Sequence, residues 1–126
     1  SLPWDDIKDV RQTARIINAL DVKEVKIHSL FVIKGTKLYQ MYKNNEFTMP
    51  SKQEYEENVI EFLRLIKKDV AVQRLVGRAP QEETAFCNWD TSWWSIRDEI
   101  VEIMNNNGFV QGDKSERIIY DKIKGV

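Results

Sequence analysis

The chain has 126 residues, enough for one domain with a modest core, and its 42% apolar, 31% charged composition is that of a globular protein. With 19 basic and 20 acidic residues interspersed, the net charge of −1 gives no global field that would draw it to nucleic acid or an anionic membrane. One cysteine and one histidine exclude an internal disulfide and a complete zinc or iron–sulfur ligand set, the longest apolar run falls short of a membrane span, and a cytoplasmic location is expected.

Residues 1–4, SLPW, read as a loop leaving an element N-terminal to them, so the chain is expected to be part of a longer polypeptide. Asp5 and Asp6 put carboxylates at a helix start, where free N–H groups and the dipole favour them. Ile7, Val10, Ala14, Ile17 and Leu20 then recur at spacings of three and four, one apolar helix face. A polar turn leads into residues 25–36, VKIHSLFVIKGT. Val25, Ile27, Leu30, Phe31, Val32 and Ile33 predict a strand buried on both faces, the kind found in parallel sheets and covered by helices before and after it. Gly35 tolerates the turn that follows, and Thr36 can cap a short helix whose inner face is Leu38, Met41 and Tyr42.

Asn44, Asn45, Phe47 and Pro50 mark irregular chain, and Ser51 with Glu54 forms the capping-box signature of a new helix. Tyr55, Val59, Phe62, Leu63 and Ile66 share one side of it, opposite Glu56, Glu57, Glu61 and Arg64. A second strand is expected over residues 70–76, where Val70, Val72, Leu75 and Val76 are apolar and Gln73 and Arg74 are not. Ligands bind where the strands of open parallel sheets and (β/α) barrels end, so Gln73, Arg74, Gly77 and Arg78 would share a functional rim with Lys34, Gly35 and Thr36. Residues 77–80 turn the chain and residues 81–88 show no clear period. Asp90, Thr91 or Ser92 caps a last helix with Trp93 or Trp94, Ile96, Ile100, Ile103 and Met104 on its apolar face, ending at residues 105–108. Residues 109–126 are mixed, and residues 116–123 fit a short strand or a short helix equally.

Each chemical reading has a plainer one beside it. His28 has no thiol or hydroxyl partner fixed near it in sequence, which favours a hydrogen-bonded strand histidine over a general base. Arg74 and Arg78 suit a phosphate or carboxylate at the rim, or a structural ion pair. Lys34-Gly35-Thr36 lacks the first glycine and the spacing of a P-loop. Trp89, Trp93 and Trp94 can stack on a base or ring if exposed, though such a cluster more often fastens a terminal helix to a core. Cys87 reads as a plain small side chain. None of these residues names a reaction.

The order of the pieces says more. Leu2-Pro3-Trp4 entering a helix, VKIHSLFVIKGTKL, the capped helix, DVAVQRLVGRAP and WDTSWWSIRDEI ending in FVQGD together resemble the C-terminal portion of a radical SAM family. That family is an iron–sulfur oxidoreductase group related to the Elongator catalytic subunit and to oxygen-independent coproporphyrinogen oxidase. The resemblance covers residues 2–113, almost the whole chain. It implies an α/β fold, the C-terminal part of a partial (β/α) TIM-like barrel with few parallel strands covered by helices. Residues 1–88 would form its βα units and residues 89–126 a C-terminal helix and tail packed on them.

Members of that family hold a [4Fe–4S] cluster on a three-cysteine motif in their N-terminal part. The open iron takes S-adenosylmethionine, whose reductive cleavage yields a 5′-deoxyadenosyl radical that abstracts hydrogen from substrate. This chain has no such motif, so the resemblance implies a fragment inactive alone, which closes the barrel of its parent enzyme and lines the mouth where S-adenosylmethionine and an unidentified substrate meet. Its partner would be the remainder of its own barrel. By the same resemblance Ser29, Leu30, Phe31 and Val32 would lie against the adenine, and Gln73, Arg74 and Arg78 would face the substrate. Ser1-Leu2-Pro3-Trp4-Asp5 departs from the family's usual Gly-Leu-Pro-Gly-Glu. The alternative is a non-catalytic module that holds a protein or RNA through the tryptophan patch or the arginine rim.

Overall fold

The helix with the clearest start signal is the hub of the structure. In a computed structural model that describes residues 6–29, 32–77 and 84–115, it runs over Lys52–Leu65. Ser51 Oγ accepts from the Glu54 N–H at 3.0 Å, and the inward face carries Tyr55, Val59, Phe62 and Leu63. Among the described residues the α-helices are, in chain order, α1 (Ile7–Ala19), α2 (Lys37–Lys43), α3 (Lys52–Leu65) and α4 (Trp93–Asn106). The strands are β1 (Glu24–Lys26), β2 (Val32–Ile33), β3 (Ala71–Arg74) and β4 (Thr84–Phe86). α1 packs on one side of α3 and α4 on another, so α3 is buried over more than one stripe.

That double packing corrects one expectation. Glu56, placed by periodicity on the polar face of this helix, is only 5% exposed, because α4 covers the flank on which it stands. Glu61, on the same expected polar face, stays at the surface edge and pairs with Arg11 of α1 at 3.3 Å and with Lys114 at 3.0 Å.

α1 starts as its carboxylates predict. Asp6 Oδ1 accepts from the N–H groups of Lys8 and Asp9, and the Asp9 carboxylate accepts from the Asp6 N–H at 2.9 Å, a reciprocal box that holds the Asp6 carboxyl below its usual range. Ala14 and Asn18 are buried against α3. Asn18 donates to Leu65 O at 2.8 Å and accepts from Lys67 N–H at 3.0 Å. A helix leaves its last carbonyls without partners of its own, and here they are met from two directions. Asn18 meets Leu65, while the segment after α4 folds back so that Gly112 N–H reaches Leu63 O at 3.0 Å and Lys114 N–H reaches Arg64 O at 2.8 Å.

The apolar run of residues 25–36 is not one strand buried on both faces. β1 pairs parallel with β3 in the register Glu24↔Ala71, Val25↔Val72 and Lys26↔Arg74, with an irregularity after Val25. β2 pairs antiparallel with β4, Val32 opposite Phe86. The chain therefore changes both its partner and the sense of its pairing from β1 to β2. Glu24 and Lys26 are exposed and Val25 is half-buried, so helices cover β1 on one face only. The described residues thus form a mixed α/β fold with a parallel pair, as expected, and an antiparallel pair that periodicity did not predict.

Other local signals hold. Gly35 has φ 86°, and Thr36 Oγ1 caps α2 by accepting from Tyr39 N–H at 3.1 Å. Ser92, of the three candidates, caps α4, with Ile96 and Ile100 fully buried. Trp93 packs against the core, whereas Trp94 is 53% exposed and Ile103, expected on the inner face, is exposed too. Among the described residues no helix is long and apolar enough to cross a membrane.

Candidate functional site

The C-terminal ends of the parallel pair meet at one buried side chain. Asn88 follows β4 and is 2% exposed. Its Oδ1 accepts from Ser29 Oγ at 2.6 Å, beyond the end of β1, and its Nδ2 donates to Gly77 O at 2.7 Å, beyond the end of β3. One amide therefore ties both strand ends and satisfies polar groups that would otherwise be orphaned in the interior.

The backbone that delivers this amide is strained. Asn88, Trp89 and Asp90 have φ of 50°, 54° and 57°, three successive non-glycine residues in the left-handed region. Each such residue costs on the order of 1–2 kcal/mol, with Asn and Asp the best tolerated and a bulky residue the worst. Trp89 is held there by its surroundings. Its indole N–H donates to Pro50 O at 2.8 Å, and its ring packs against Tyr55 at 5.4 Å and edge-on against Phe86 at 5.5 Å. Phe86 continues to Tyr42 at 6.3 Å and Tyr42 to Phe47 at 6.1 Å, an aromatic row behind the strand ends. Tyr55 closes the arrangement by donating its hydroxyl to Leu75 O at 2.7 Å, and burial pushes that hydroxyl's pKa up, so it remains a donor.

Of the residues that the sequence nominates for the site, Ser29 is buried at this junction with its hydroxyl committed to Asn88. Val32 is fully buried in β2. Gln73 is exposed on the uncovered face of β3, where its amide donates to the Glu24 carboxylate of β1. Arg74 is exposed at the end of β3 and makes no ion pair among the described residues, while its carbonyl accepts from Ile27 N–H at 2.8 Å. Leu30, Phe31 and Arg78 lie outside the described residues. His28 is exposed beside Ser29. The structure thus brings Ser29 together with Gly77, and sets Gln73 one residue before Arg74 on the opposite, open side.

Sequence reading missed Asn88 and Trp89 as a unit, and with them β4. The one signal was Asn-Trp-Asp, in which the two residues most tolerant of positive φ flank a tryptophan. Lys34, Gly35 and Thr36 are exposed at the start of α2, whose first turn Thr36 caps.

As to metal, no group of three or more His, Cys, Asp or Glu gathers among the described residues, and Cys87 is half-buried. The strand-end junction is held together by hydrogen bonds and apolar packing.

Comparison with known proteins gives a consistent picture. The family model described as Radical_SAM C-terminal domain matches residues 22–106. The uncharacterized protein YtqA of Bacillus subtilis is 29% identical over 117 residues, 93% of this chain and 36% of that protein. The uncharacterized protein MJ0486 of Methanocaldococcus jannaschii is 32% identical over 112 residues, 88% of this chain and 35% of that protein. The chain spans about a third of the length of the curated relatives it matches.

Proposed function

This chain belongs to the radical SAM C-terminal domain family, and from that premise we propose that it is the C-terminal unit of a radical SAM iron–sulfur oxidoreductase, completing the barrel of the parent polypeptide and lining the mouth where S-adenosylmethionine and substrate meet. The observation that carries this reading is the half-covered parallel pair. Parallel strands are ordinarily covered on both faces, yet β1 and β3 have helices on one face only, and β1 has no partner on its other edge among the described residues. Ile16 in the last turn of α1 and Leu20, its C-cap, lie four residues apart and are 48% and 68% exposed, an apolar flank fit to receive a neighbouring βα unit.

The residues of this chain do not fit the cluster, since its single cysteine cannot replace a three-cysteine motif. What the chain contributes in this reading is shape and charge. Asn88 sets the strand ends through Ser29 and Gly77, Val32 is buried in β2, and Arg74, which makes no ion pair among the described residues, presents its guanidinium for a carboxylate or phosphate of cofactor or substrate.

The test is made in the parent polypeptide, reconstituted anaerobically, by measuring release of 5′-deoxyadenosine. Arg74→Ala is expected to lower turnover by roughly tenfold or more, the scale of one lost charge-assisted hydrogen bond, without moving the unfolding midpoint. Unchanged turnover would remove Arg74 from the mouth. A parent polypeptide that has no three-cysteine motif and releases no 5′-deoxyadenosine would remove the whole reading.

A second reading, a non-catalytic module for protein or RNA, has one observation in its favour, the exposed Trp94. Trp89 and Trp93 face inward instead, with Arg97 stacked over Trp93 at 5.1 Å to the ring centroid, and the net charge of −1 offers RNA little attraction.

A further inference from the structure

The seam between α3 and α4 buries a carboxyl that the strand-end junction does not use. Glu56 stands in the second turn of α3, 5% exposed, and its buried Oε2 has no hydrogen-bond donor among the described residues. Across the seam Glu99 of α4 brings its own carboxyl within hydrogen-bonding reach of Glu56. Lys52, one turn before Glu56 on α3, holds Glu99 Oε1 at 3.0 Å. Two carboxylates this close, one of them shielded from water, cannot both be charged without strong repulsion, whereas a single shared proton turns the clash into a short O–H···O bond. The surroundings decide where the proton rests. Glu99 is partly open to solvent and paired with a cation, so it stays ionised, and Glu56 keeps the proton and donates it across the seam.

We propose that Glu56 and Glu99 form a proton-shared latch that closes α4 onto α3, and that removal of the proton loosens this seam. Burial first, and then Glu99, pushes the Glu56 carboxyl up to about 7, while the Lys52 ammonium holds Glu99 below the usual carboxylate range. The charged groups that bear on Glu56 are Glu99 from α4 and Lys52 from its own helix; α1, packed on the other side of α3, brings Arg11 to Glu61 instead. Along α3 the latch is next to Tyr55, which holds Leu75 O and packs on Trp89. It stands independently of the radical SAM reading, since it requires only the two helices and their three charged groups.

The sign follows from linkage. A carboxyl whose pKa is higher in the folded state binds its proton more tightly when folded, so stability is greatest below the unfolded value, falls as pH rises through the interval up to about 7, and is level above it. In the wild-type chain the unfolding equilibrium constant is expected to rise on the order of 50-fold between about pH 5 and about pH 8. Glu56→Gln keeps a neutral donor in place of the acid and is expected to abolish most of that rise, leaving the variant more stable than wild type at the higher pH. The protection of α4 amides against hydrogen exchange, relative to their intrinsic rates at each pH, should fall with pH in wild type and not in the variant. Parallel pH profiles for the two proteins overturn the latch. If Glu56→Gln fails to fold, carbon-detected NMR titration of the wild-type Glu56 carboxyl decides: a midpoint near 7 supports the latch, and one below about 5 sinks it.

Discussion

Asn88 shows how one side chain can justify a strained backbone. Three left-handed residues in a row are unfavourable for any sequence, and they persist because the amide they deliver bonds Ser29 and Gly77 while the Trp89 ring fills the space between Tyr55 and Phe86. Asn88→Ala removes both hydrogen bonds, leaves the Gly77 carbonyl and the Ser29 hydroxyl buried without partners, and places a residue of poorer left-handed tolerance at φ 50°. It is expected to destabilise the chain by about 2–4 kcal/mol, read as a lower urea midpoint with unchanged slope. Asn88 was hidden in the sequence because hydrogen bonding across 59 residues, from Ser29, leaves no local pattern. Glu56 was misplaced for a related reason, since periodicity reports one buried stripe and cannot report a second helix lying on the other side.

At the scale of elements, the starts of α1, α2 and α3 were legible, that of α4 only to within three candidate caps, and the end of α3 was not. Caps act between residues two or three apart, so Asp6, Thr36 and Ser51 can be read directly, whereas Asp90, Thr91 and Ser92 compete for α4 until the structure selects Ser92. The closing of α3 depends on chain far away, Asn18 from α1 and residues 111–114 after α4. Gln111 donates to Lys67 O and Val70 O, Arg64 pairs with Asp113 at 2.8 Å, and the Arg64 guanidinium lies 3.7 Å from the Phe109 ring centroid. Gly112 is the tight point, with φ 80° and a position where an added Cβ would come within 2.9 Å of Lys68 N and 3.1 Å of Ile66 O. Gly112→Ala is therefore expected to cost about 1–3 kcal/mol and to loosen the segment after α4, visible as faster amide exchange at Gly112 and Lys114 before global unfolding. Faster exchange confined to α1 would place the strain elsewhere.

For the molecule as a whole, the telling feature is what the described residues leave uncovered: one face of the β1–β3 pair, one edge of β1 and the Ile16–Leu20 flank. Substituting Ile16→Glu and Leu20→Lys together should leave the stability of this chain within about 0.5 kcal/mol, because both side chains are exposed. In the parent polypeptide the same pair should lower the thermal midpoint and expose the junction to protease, since it would put charge into the packed flank of a neighbouring helix. A double variant that behaves like wild type in both settings would mean that nothing packs there.

The sequence by itself determined the helices, the first turns of α1, α2 and α3, the parallel type of strand around Val25 and Val72, and the family, because these rest on period, on caps and on the order of long motifs. Tertiary structure alone decided the rest. It divided the apolar run of residues 25–36 between a parallel and an antiparallel partner, turned Glu56 inward beneath α4 and joined Ser29 to Gly77 through Asn88. The physical reason is common to all three. Strand partner, burial and hydrogen-bond satisfaction depend on groups brought together by folding, and those groups are far apart along the chain.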